Sequence, residues 1–114
     1  MQPVFAFQKL DVYVAARELM QRVHAGSLAD AELRDQATRA AKSVFLNVSE
    51  GLPDHRPGVR RKHFTIARNS LGELVAAIDL AVAIDAMPIA QAEAALALAG
   101  RVRPMVYGLL RNLG

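Results

Sequence analysis

Five polar side chains recur along one stretch of the chain: Gln36, Arg39, Ser43, Asn47 and Glu50. Their spacings of three, four, four and three place them on one face of a helix. A second polar set, Lys62, Asn69, Ser70 and Glu73, follows on the next apolar segment. Glu50 lies near the end of its segment, where a carboxylate opposes the helix dipole, so it requires a partner. An antiparallel hairpin turning near Arg56 puts Glu50 beside Lys62, Ser43 beside Asn69 and Ser70, and Arg39 beside Glu73. An arginine–carboxylate pair can be bidentate, and buried hydroxyls and amides need such partners. The two sets therefore form a polar ladder that fixes helix register and lines a subunit contact. The rival reading is a ligand or catalytic pocket built from the same residues.

Other chemistry is sparse. The chain has no cysteine, which excludes disulfides, thiolate metal sites and a cysteine nucleophile. His24, His55 and His63 are scattered near segment ends, and no glutamate has a histidine three residues later. The paired Glu-x-x-His ligands of dinuclear helical bundles are thus missing, so neither a metal nor another cofactor is expected. No phosphate-binding glycine loop or nucleophile elbow occurs. His55 and His63 read as exposed polar residues. The remaining candidate is basic. Residues 58–114 hold seven Lys or Arg against four Asp or Glu, whereas residues 1–57 balance at seven each. The excess gathers at Arg56, Arg60, Arg61, Lys62 and Arg68, with Arg101, Arg103 and Arg111 later. Such a cluster suits nucleic-acid phosphates, although it also fits a solvated loop and helix start.

These residues need elements to position them. The chain has 114 residues, of which 53% are apolar and 5% aromatic, and 21 are alanine. Alanine has the highest helix propensity, and strands favour β-branched and aromatic residues, so an all-α fold is expected. Four segments show helical periodicity. The first runs over about 7–25, with Val12, Ala16, Leu19 and Val23 on one face, and ends at Gly26. The second runs over about 30–52, with Leu33, Ala37, Ala40, Val44 and Val48 inward and Gly51 as its stop. The third runs over about 58–85, with Phe64, Ala67, Leu71, Leu74, Val75, Ile78 and Val82 inward. The fourth runs over about 88–112, with Leu98, Val102, Met105, Leu109 and Leu113 inward. Pro104 is interior to it and predicts a kink rather than an end, because the periodicity continues. Short connections make the whole chain, 1–114, a single antiparallel up-down-up-down four-helix bundle.

The third helix has a second apolar set, Ile66, Ala77, Leu80 and Ile84, off its inward face. A helix that hides one face in a monomer is polar elsewhere. This set predicts an oligomer face. No signal peptide and no uncharged membrane-length run are present, so a cytoplasmic protein is expected.

The polar residues also carry a family resemblance. The run Gln36-x-x-Arg39-Ala40-Ala41-x-Ser43-x-x-x-Asn47-x-x-Glu50-Gly51 resembles the signature of the bacterial 23S rRNA intervening-sequence proteins. Phe64-x-x-Ala67-x-x-Ser70-x-x-Glu73-Leu74 resembles that family's second signature, and Phe7-x-x-Leu10-x-Val12-Tyr13-x-x-Ala16 its opening helix. Leu52-Pro53-Asp54-His55 departs from the family's usual aromatic–glycine–arginine turn, with Arg56 or Arg60 in the arginine's place. The resemblance implies an antiparallel four-helix bundle, a ring-like homopentamer and no known enzymatic activity. It is more distantly similar to the accessory protein of diversity-generating retroelements, a pentamer that binds nucleic acid and a reverse transcriptase.

Two functions compete. One is a non-enzymatic oligomer that holds structured RNA or DNA through Arg56, Arg60, Arg61, Lys62 and Arg68. Five chains of +3 would carry about +15, and repetition strengthens weak contacts. Only Phe64 interleaves with this run, and it faces the core, so binding would be sequence-tolerant and salt-sensitive. The other is a scaffold whose apolar surplus docks another protein without nucleic acid.

Overall fold

The computed structural model describes residues 2–113. Its elements are a 3-10 turn at Ala6–Lys9, then α1 (Asp11–Ala25), α2 (Ala31–Gly51), α3 (Pro57–Ala83) and α4 (Ile89–Arg111). No strand occurs among the described residues. Neighbouring helices pack α1 on α2, α2 on α3, α3 on α4 and α4 back on α1, with α2–α3 the most extensive pairing. This closed circuit is the four-helix bundle expected from the periodicity. No helix among the described residues is long and apolar enough to cross a membrane.

The first helix starts later than its periodicity predicts. Leu10 is extended (φ −71°, ψ 142°), which separates the 3-10 turn from α1. Gln8 fixes the preceding segment by accepting hydrogen bonds at Oε1 from the Val4 and Phe5 amides, at 2.9 and 2.8 Å. Aromatic contacts then run from Phe7 to Tyr13 (5.6 Å between centroids) and from Tyr13 to Phe45 on α2 (5.1 Å). Aromatic packing of this segment on the bundle competes with continuing the helix.

Other boundaries have local causes. Asp30 caps α2 by accepting from the Leu33 amide at 2.9 Å, satisfying one of the free N–H groups of the first turn. Pro57 starts α3, where its missing N–H costs nothing. α3 ends at Ala83, two residues earlier than expected, because Asp85 turns left-handed at φ 57°. α4 continues through Pro104, so the periodicity correctly carried the helix past it.

The core uses small side chains. Val12, Ala16 and Leu19 of α1 and Leu33, Ala37, Ala40, Val44 and Val48 of α2 are buried, as their spacing predicts. Phe64, Leu74, Ile78, Val102 and Val106 are fully buried on α3 and α4. Eleven of the 26 buried apolar residues are alanine, so the helices approach closely while each contact removes little area from water.

Candidate functional site: the α2–α3 seam and the basic surface

The polar stripes of α2 and α3 meet as a continuous hydrogen-bonded chain. Ser43 Oγ and Ser70 Oγ lie 2.7 Å apart, and Ser70 is the buried polar residue of the core. Asn47 Nδ2 donates to the Ser43 carbonyl at 2.8 Å and to Ser43 Oγ at 3.2 Å. That leaves Asn47 Oδ1 facing His63 Nδ1 at 3.0 Å, and the same nitrogen lies 3.1 Å from Glu50 Oε2. Both neighbours of Nδ1 are acceptors, so Nδ1 carries the hydrogen. Among the described residues no buried side-chain nitrogen or oxygen lacks a partner.

The seam differs from the expected ladder at three rungs. Glu50 is met by His63 rather than Lys62, which stays exposed and unpaired among the described residues. One residue turns a helical side chain by about 100°, so His63 points toward α2 and Lys62 does not. His63 is therefore mostly buried, with 17% of its side chain exposed, and not the surface residue its position suggested. Asn69 is exposed and makes no side-chain hydrogen bond among the described residues. Arg39 and Glu73 do not pair either. They line a groove of about 540 Å³ together with Gln36, Ser43 and Ser70. Ala40, Ala76 and Ala77 in its walls are too small to fill the space between them.

The apolar flank of this groove is exposed on one side of α3. Ile66, Leu80 and Ile84 retain 36%, 49% and 49% of their surface. Ala77 does not belong with them: it is 6% exposed and lies in the core and groove wall. Leu46 on α2, which the sequence reading missed, is 54% exposed, one turn from both Ser43 and Glu50.

The basic candidates separate into different roles. Arg60 Nη1 donates to the carbonyls of Gly51, Leu52 and Asp54 at 3.3, 3.0 and 3.0 Å. Its guanidinium also lies 5.2 Å from the Phe64 ring centroid. Arg60 thus closes the carbonyl end of α2, which a cation favours. Arg56 is held by Asp54, with Nε to Oδ1 at 3.1 Å and Nη2 to Oδ2 at 2.8 Å. Hydrogen bonds from the Arg56 side chain, then from its backbone amide, hold the Asp54 carboxyl well below the usual carboxylate range. Arg61 and Lys62 are exposed, and Arg68 is half-buried beside α4. His24 and His55 are exposed, and no group of three or more His, Asp or Glu among the described residues could hold a metal ion.

The four-helix bundle thus carries a hydrogen-bonded polar seam, an open groove beside it and an exposed apolar flank. The model of the 23S rRNA-intervening sequence protein family matches residues 8–108, and the chain belongs to that family. A comparison with curated proteins finds no match.

Proposed function

We propose that the protein is a non-catalytic, self-assembling module that presents repeated basic surfaces to nucleic acid in the cytoplasm. The observation that carries this reading is the α2–α3 face. Its apolar flank, Leu46, Ile66, Leu80 and Ile84, is exposed beside a groove holding Arg39 and Glu73 without a mutual ion pair. A second copy supplies what both features lack. In a closed ring each copy meets its neighbour through two different surfaces, so the neighbour covers the flank and brings polar groups from another part of its own surface to Arg39 and Glu73. Covering exposed leucine and isoleucine is the main driving force of subunit association. The satisfied seam beneath, from Ser70 to Glu50, holds α2 and α3 in the register that brings Arg39 and Glu73 to the same groove.

Family membership supports a ring of five. Each copy contributes Arg61, Lys62 and Arg68, which have no ion-pair partner among the described residues. Arg56 and Arg60 are engaged within the protomer and are not part of this surface.

Two measurements test the reading. Light scattering on the purified chain should give a mass several times the 12.3 kDa protomer. Leu80→Glu should reduce that mass while retaining the helical circular-dichroism spectrum. Electrophoretic shifts with structured RNA should appear at low salt and fade as salt rises. A monomeric chain refutes the assembly, and absence of any shift at low salt refutes the nucleic-acid role. A stable monomer that captures one partner protein on the same flank would favour the docking scaffold.

A further inference from the structure

α3 and α4 enclose a second groove, on the opposite side of α3 from the polar seam. Its volume is about 340 Å³. Leu71, Val75, Leu96 and Ala99 make an apolar floor, and Arg68, Arg103 and Tyr107 stand at its rim. Gly72 and Gly100 also line it, and a Cβ at either would meet nothing within 4 Å. The missing side chains therefore keep the groove open. The Arg103 guanidinium lies 4.6 Å from the Tyr107 ring centroid, which presents a stacked planar surface at the edge.

No Asp or Glu lines the groove; Asp79 and Glu93 lie one turn beyond Val75 and Leu96, at the end away from Arg68 and Tyr107. No Asp or Glu occurs in residues 55–72 or in residues 94–114. Arg61 precedes Arg68 by two helical turns, and Arg111 follows Tyr107 by one, so both extend the same basic strip. None of these four arginines forms an ion pair among the described residues. The sequence alone does not show this strip, because Arg68 and Arg103 become neighbours only through the α3–α4 pairing.

We infer that the α3–α4 groove is a nucleotide site for single-stranded nucleic acid: one unpaired base enters over the apolar floor, and its flanking phosphates meet Arg68 and Arg103. This rests on the nucleic-acid half of the proposed function and assigns its contact surface. The floor suits a flat aromatic base, and the Tyr107–Arg103 stack offers a further π surface against it. Guanidinium groups match phosphate oxygens bidentately. A base paired within a duplex stays stacked on its neighbours and cannot reach the floor. An acidic peptide would satisfy the arginines but offers the floor a flat group only where an aromatic residue stands beside its carboxylates.

The test uses fluorescence anisotropy of labelled single-stranded RNA and DNA of about 12 nucleotides, alongside the corresponding duplexes. Arg68→Ala and Arg103→Ala should each weaken single-strand binding about tenfold at low salt. Tyr107→Leu should weaken single-strand binding and leave duplex binding unchanged. Gly100→Glu adds a carboxylate at the groove from a Cβ that would stand in open space. It should weaken binding while leaving the protein at least as heat-resistant as its parent, because glycine is a poor helix former. If these four variants bind as the parent does, and Arg61→Ala with Lys62→Ala removes binding, the groove assignment is wrong and the basic-surface reading stands. If the parent binds neither strand nor duplex at low salt, both fail.

Discussion

The close approach of α2 and α3 depends on Gly51. Periodicity marks it as a helix stop, and α2 does end there, but not through a left-handed glycine: Leu52 beyond it is right-handed (φ −59°, ψ −46°). The constraint is spatial. A Cβ on Gly51 would come within 2.5 Å of Phe64 Cε1, and Phe64 is fully buried. Gly51→Ala should cost about 1–3 kcal/mol in chemical denaturation, the usual penalty for overfilling a packed core. The Ser43–Ser70 contact makes a second test at this scale. A double-mutant cycle of Ser43→Ala and Ser70→Ala should return a coupling of about 1 kcal/mol, since the two hydroxyls share one hydrogen bond. The Asp54–Arg56 pair predicts a sign in acid. Because the folded carboxyl is held low, its stabilising contribution is present above the ordinary carboxylate range and is lost only as pH falls through the lowered folded value. NMR titration of Asp54 should show it still ionised where a free aspartate side chain has begun to protonate.

At the scale of elements, Arg60 links two helices. It sits in the first turn of α3 and collects the carbonyls beyond the end of α2, while its guanidinium lies over Phe64. Arg60→Met keeps much of the aliphatic packing and removes the donors. It should lower stability by about 1–2 kcal/mol, with hydrogen exchange rising first in the α2–α3 connection. Much of this architecture was legible in the sequence. The inward stripes of all four helices follow apolar periodicity, and α2 and α3 begin within one residue of the expected 30 and 58. The site was legible in part. The α2 stripe and the Ser43–Ser70 rung follow from spacing within a hairpin. His63 in place of Lys62 does not, because a one-residue difference in helix rotation lies within the uncertainty of an unknown loop. Arg60 reads as one charge among several until the carbonyls it reaches are placed. Arg103 and Tyr107 are separated from Arg68 by an entire helical hairpin, so only the tertiary pairing joins them.

At the scale of the molecule, the alanine-rich core and the exposed α2–α3 face belong to one argument. Small residues allow tight helix packing, yet they bury little area per residue. Among the larger apolar side chains left outside, Leu46, Ile66, Leu80 and Ile84 share the α2–α3 face, and association through it would cover them. An assembly would also repeat the basic α3–α4 strip, turning modest phosphate contacts into a multivalent surface. Self-association through the α2–α3 face is thus the central claim, and a light-scattering mass across a dilution series tests it most directly. The parent chain should show a mass near five times 12.3 kDa, and folded Leu80→Glu a clearly smaller one. A parent chain that stays at 12.3 kDa, or a Leu80→Glu variant with the parent's mass, would contradict it.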